Sequence, residues 1–134
     1  MIHIAIVEDE EKYKEQLREY IEQYCEKSGK QIQTSFFQDG EDIIENYTAD
    51  FDLIFMDIQM RFMDGMTAAR EIRKLDKKVI LMFITSIATY AIEGYEVDAL
   101  DYILKPLSYN MFEQKLNRAL LRVDGQEEHY FLIQ

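Results

Sequence analysis

Two carboxylates, Glu8 and Asp9, follow directly on the apolar run Ile2–Val7, and a third, Asp57, follows on Phe51-Asp52-Leu53-Ile54-Phe55-Met56. Two more polar groups sit the same way. Thr85 ends the run that begins at Val79, and Lys105 ends the run around Asp101–Leu104. Carboxylates crowded at one place repel, so either a pKa rises or a cation sits between them. An all-oxygen donor set favours Mg²⁺, which is commonly held by one or two carboxylates with waters and phosphate oxygens. A lysine adds a fixed positive charge and a threonine a neutral donor. Together such groups would steady the oxygens of a phosphoryl group during in-line transfer. One carboxylate must then be the nucleophile. Asp57 is best placed, because the central apolar run ends there.

That chemistry needs elements that bring distant residues together. The apolar runs are short and bounded by polar residues, as buried strands are. Ile2–Val7 and Val79–Ile84 read as strands covered on both faces, whereas the more polar Gln31–Phe37 suits a sheet edge. Between them lie helical patterns. Glu10 to Ser28 carries Tyr13, Leu17, Tyr20, Ile21 and Tyr24 on one face, and Gly29 stops it. Asp39 or Gly40 caps a short helix with Ile43, Ile44 and Tyr47. Gly65 permits a tight turn, and a helix from Thr67 to Leu75 buries Ala69, Ile72 and Leu75. Its basic neighbours Arg70, Arg73, Lys74, Lys77 and Lys78 read as a solvated face at the end that favours cations. A helix of about two turns is expected around Tyr90–Tyr95. Ser108 caps the last one, with Phe112, Leu116, Ala119 and Val123 inward. Strands alternating with helices predict an α/β fold, a five-stranded parallel sheet with five helices on its two faces. Such sheets bind ligands at the carboxyl ends of their strands. Glu8, Asp9, Asp57, Thr85 and Lys105 all fall there.

Composition narrows the function. The 134 residues make one domain, with aromatics (nine Tyr, eight Phe) enough for a core. A formal charge of -11 argues against a grip on nucleic acid or on an anionic membrane. No apolar run approaches the roughly 20 residues of a transmembrane helix, and the start has no signal-peptide pattern. The one cysteine, Cys25, cannot form an internal disulfide. These features fit a cytoplasmic setting.

From residue 2 to 123 the chain resembles the receiver domain of two-component response regulators. The resemblance is carried by Ile6-Val7-Glu8-Asp9-Glu10, Leu53-Ile54-Phe55-Met56-Asp57-Ile58-Gln59-Met60, Met63-Asp64-Gly65, Ile84-Thr85 and Asp101-Tyr102-Ile103-Leu104-Lys105-Pro106. It implies a flavodoxin-like doubly wound sheet of order 2-1-3-4-5. It implies that Asp57 accepts the phosphoryl group from a histidine kinase. Glu8, Asp9, Asp57 and the Gln59 backbone carbonyl would bind Mg²⁺. Lys105 would bond the phosphoryl oxygens. Thr85 and Tyr102 would be the switch pair, and Lys105-Pro106 a cis bond. The face made by the fourth helix, fifth strand and fifth helix would drive homodimerisation.

The stretch from Tyr90 to Tyr102 is similar to receivers that precede a LytTR-type DNA-binding domain. In that reading residues 1–123 are the receiver, and 124–134 are a linker and the start of a further domain, with His129–Ile133 its first strand. DNA would be bound only through that missing domain. One departure from the family is Arg61-Phe62, where receivers commonly carry Pro and often Gly; Phe62 is expected to be exposed. Two other functions compete. A pseudo-receiver would bind proteins without taking phosphate, yet every residue the chemistry needs is present. A haloacid-dehalogenase-type phosphatase would want a second aspartate two positions after Asp57, where this chain has Gln59. The receiver reading makes Asp57 modify itself, with no turnover on free substrates.

Overall fold

The computed structural model describes residues 1–87 and 96–133, with side chains through residue 124. The strands are β1 (Ile2–Val7), β2 (Ile32–Phe37), β3 (Leu53–Met56), β4 (Ile80–Thr85) and β5 (Asp101–Leu104). They form one sheet of order β2-β1-β3-β4-β5, with every neighbouring pair parallel. The helices are α1 (Glu11–Ser28), α2 (Gly40–Glu45), α3 (Gly65–Leu75) and α4 (Tyr109–Ile133). These are four among the described residues; the helix expected at Tyr90–Tyr95 lies outside them.

Side chains alternate across each strand, so the sheet separates two cores. Ile4, Ile6, Leu53, Phe55, Ile80, Met82 and Ile84 face α1 and α4, where they meet Leu17, Ile21, Phe112 and Leu116. Ala5, Val7, Ile54, Met56, Leu81 and Phe83 face α2 and α3, where they meet Ile43, Met66, Ala69 and Ile72. The strands β1, β3 and β4, apolar but for His3 and Thr85, are the central ones. The more polar β2 is an edge strand, as its composition predicts.

Local signals set the helix ends. Gly29 adopts φ +76° and closes α1 with its N–H on the Cys25 carbonyl. Asp39 caps α2 by accepting from the Asp42 N–H, and Asp64 caps α3 by accepting from Thr67. The Asp64 cap starts α3 two residues before the expected Thr67. Ser108 Oγ accepts from the Met111 N–H, as a cap of α4 should.

Three expectations need correction. Leu75 is 61% exposed, because it lies at the edge of the inward stripe Gly65, Ala68, Ala69 and Ile72. The segment 124–133 is helical, a continuation of α4, with no strand at His129–Ile133. Gly125 costs a helix interior only about 1 kcal/mol against Ala, and Gln126, Glu127 and Glu128 favour helix.

The third concerns Arg73, which is no solvated cation. Its guanidinium donates to the carbonyls of Val79 (2.6 Å), Val97 (2.6 Å), Asp98 (3.2 Å) and Asp76 (3.4 Å). It thereby ties the end of α3 to the start of β4 and to the turn before β5. Burial lowers its pKa. Arg73→Leu strips the donors from those carbonyls and should cost about 2 kcal/mol. Arg73→Lys should recover only part, since an ammonium lacks the planar fork. Urea unfolding of the three proteins reads both effects. Arg73, Lys77 and Lys78 also line a cavity of about 180 Å³ with Arg118 and Arg122.

Candidate functional site

Parallel pairing fixes the ends of three strands beyond their last residues. The Glu8 N–H donates to Phe37 O (3.1 Å), the Asp57 N–H to Val7 O (3.0 Å) and the Lys105 N–H to Thr85 O (2.8 Å). Each functional residue is thus one step past its strand and still held by the neighbouring one. The Lys105-Pro106 peptide is cis.

At these ends the side chains converge. Lys105 Nζ donates to Glu8 Oε1 at 2.8 Å and to Asp57 Oδ2 at 3.0 Å. All three side chains are nearly closed to solvent, at 5% for Lys105, 3% for Glu8 and 4% for Asp57. Residues 97 and 48 positions away meet the lysine within a single hydrogen bond. The remaining oxygens are held by backbone. Glu8 Oε2 accepts from the Glu10 N–H at 3.1 Å, and Asp57 Oδ1 from the Gln59 N–H at 3.2 Å.

Two buried carboxylates share one ammonium, so the cluster carries a surplus negative charge. Burial pushes the Glu8 carboxyl above its ordinary range and Asp57 adds to that, against the pull of Lys105. Burial alone would lower the Lys105 amine. Its bonds to Glu8 and Asp57 outweigh that and raise it.

Asp9 takes a different role. Its Oδ2 accepts from the Arg61 N–H at 3.1 Å, which anchors the loop after β3. Oxygens of Glu8, Asp9 and Glu10 lie within 4.8 Å of one another. Asp57 stands outside that trio and joins it through Lys105. The donor set is all oxygen, it carries excess negative charge, and its most buried member is raised by burial. Those properties suit a hard divalent cation. Sequence reading omitted Glu10 from the acidic group, although it adjoins Asp9.

Thr85 is fully buried at the end of β4, and its Oγ1 accepts from the Ile87 N–H at 3.4 Å. The Tyr102 hydroxyl donates to the Ile87 carbonyl, while its ring lies 5.9 Å from that of Phe83. Both residues expected to switch therefore engage the same short segment. Phe62 is 73% exposed, as the departure at Arg61-Phe62 suggests.

The sheet order 2-1-3-4-5 is that of a flavodoxin-like doubly wound fold, and a lysine bridges the acids that follow its first and third strands. Residues 4–117 match the family described as response regulator receiver domain. The chain belongs to that family. Its curated relatives include the sensory transduction protein LytT of Oceanobacillus iheyensis, 32% identical over 120 residues, 87% of this chain and 47% of that one. Among solved structures, the response regulatory domain of mrkE from Klebsiella pneumoniae is 29% identical. That match has a TM-score of 0.80 and covers 92% of this chain and 99% of that one. The response regulator TrrA of Thermotoga maritima, solved with Mg(2+)-BeF, shares the fold at 24% identity, with a TM-score of 0.75 over 89% of this chain and 99% of that one. The chain spans less than half of the LytT relative. No helix among the described residues is long and apolar enough to cross a membrane.

Proposed function

We propose that this receiver takes a phosphoryl group on Asp57 from a sensor histidine kinase and passes the change to a C-terminal domain that controls transcription. One observation carries the reading: the Lys105 ammonium bridges Asp57 and Glu8 in a site almost closed to water. Asp57 supplies the attacking oxygen. Lys105 already lies where a phosphoryl oxygen would need a cation. Glu8, Asp9, Asp57 and the Gln59 carbonyl would hold Mg²⁺, which when bound neutralises charge on the transferring group. Phosphorylation adds negative charge and acceptor oxygens at the same end of the sheet as Thr85, whose carbonyl already accepts from the Lys105 N–H. Thr85 and Tyr102 both hold Ile87, so a shift of the first alters the seat of the second. Dimerisation through the face of the expected fourth helix, β5 and the last helix, α4, would then join two effector domains C-terminal to this receiver, which bind DNA in the cytoplasm. The LytT relative, a sensory transduction protein, supports the signalling part of that reading.

Intact mass after incubation with acetyl phosphate and Mg²⁺ tests the reading. One added phosphoryl group is expected, and Asp57→Ala should abolish it. No addition to the wild-type protein favours a pseudo-receiver that only binds partners. Repeated turnover on phosphate esters favours a phosphatase.

A further inference from the structure

Tyr13 lies on the first turn of α1, at a position whose spacing assigns it to the inward apolar face with Leu17, Ile21 and Tyr24. The structure puts it elsewhere. Leu17, Ile21 and Tyr24 join the core beneath α1, whereas Tyr13 belongs to neither hydrophobic cluster. Its ring instead faces Lys105, with Nζ only 3.7 Å from the ring centroid. An ammonium has three hydrogens. Two are used on Glu8 and Asp57, and the aromatic face covers the ammonium in place of water. Cation–π attraction is strongest where both partners are desolvated, and the Lys105 side chain is 5% exposed.

Resting on the reading of Asp57 as the acceptor, we propose that Tyr13 is a positioning residue for phosphoryl transfer, its ring face holding the Lys105 ammonium over the reacting centre. In the transfer, an Asp57 oxygen forms a bond to phosphorus. The bond from phosphorus to the donor's leaving group breaks, and that group departs with the electron pair. The carboxylate's negative charge ends on the departing group, while the phosphoryl oxygens keep their own charge and now lie beyond the esterified Asp57 oxygen, so Lys105 must shift towards them over about one bond length. A hydrogen bond is directional and would resist that shift. A π face places no such demand, so the ammonium can slide on the ring without being rehydrated. Tyr13 touches neither acid nor donor in this scheme and acts only through Lys105.

Tyr13→Phe keeps the π face and loses only the hydroxyl. Tyr13→Leu keeps an apolar filler and loses the π face. Phosphorylation rates with acetyl phosphate and Mg²⁺ should stay within about twofold of wild type for Phe and fall roughly tenfold for Leu. Thermal unfolding, measured beside them, should show all three proteins fully folded at the assay temperature, so that the rates compare folded protein. A Leu variant as fast as wild type, or a Phe variant as slow as Leu, overturns the proposal while leaving Asp57 as acceptor. A wild-type protein that takes no phosphoryl group overturns both.

Discussion

Lys105→Met should unfold at markedly lower urea concentration than wild type, with a loss of about 3 kcal/mol at neutral pH. The side chain removed is the cation between two carboxylates that are themselves 3% and 4% exposed. Methionine fills the volume, so the loss isolates the missing charge. Glu8 and Asp57 would then face each other with no counter-ion, and the cheapest relief is a proton. Glu8 should take it, since burial already holds its pKa above 4.5. The deficit of the variant should therefore shrink as pH falls from 7 towards 5. At the other extreme the wild type has more to lose. Lys105 has a folded-state pKa raised above 10.5. Its contribution is complete below 10.5 and disappears as pH climbs through the folded-state value. The variant should lack that alkaline loss. Urea curves at several pH values read both limbs, and parallel pH profiles for the two proteins would contradict the electrostatic account. Phosphoryl uptake should also fall steeply in the variant.

Gly65→Ala should be equally severe for a steric reason. A Cβ at Gly65 would lie 2.1 Å from the Asp57 carbonyl oxygen and 2.9 Å from both Asp57 C and Ile58 Cα. All three are backbone atoms, so no side chain can swing aside. The Gly65 N–H also donates to the Ile58 carbonyl at 2.9 Å, which locks the two segments at contact distance. Making room means moving either the start of α3 or the peptide that carries Asp57. Overpacking of this kind should cost roughly 3 kcal/mol. It should also displace Asp57 from Lys105, so that phosphoryl uptake falls further than the loss of stability accounts for. Gly40→Ala, whose Cβ would meet mainly Met63 and Ala68 at 2.8 to 3.0 Å, offers a comparison on the same face. There the Ala68 Cβ and the Met63 carbonyl oxygen are likewise fixed to backbone and only the Met63 side chain can turn aside, but Asp57 is not among the obstructing groups, so stability should fall without a matching displacement of the acid.

The parts of the molecule legible in the sequence were those governed by short-range pattern. Ile2–Val7 and Val79–Ile84 have the pattern of strands covered on both faces, and β1 and β4 are interior strands with Ile4–Val7 and Ile80–Thr85 buried. Asp57, Glu8 and Lys105 could be placed together because each terminates an apolar run, and parallel strands deliver their ends to one edge. What the sequence concealed depends on where a side chain turns after its backbone is placed. Tyr13 has the spacing of a core residue and faces the site lysine instead. Arg73 has the neighbours of a solvated cation and yet feeds four carbonyls from three segments. His129–Ile133 has strand composition, and no adjacent strand recruits it. A periodic rule sees one face of one element, and these outcomes were decided by a second element distant in the chain.

The sheet has a further consequence because it divides the interior. Its central strands send alternate residues into two packing compartments that share a backbone wall and hardly any side-chain contacts. Ile4 and Ile6 belong to one, and Ala5 and Val7 to the other. Changes in volume beneath α1 and α4 are thus insulated from those beneath α2 and α3. Two half-proteins thus share a common partition. The ends of that partition are the exception: there Glu8, Asp57 and Lys105 reach across strands, and neither compartment is free to wander alone.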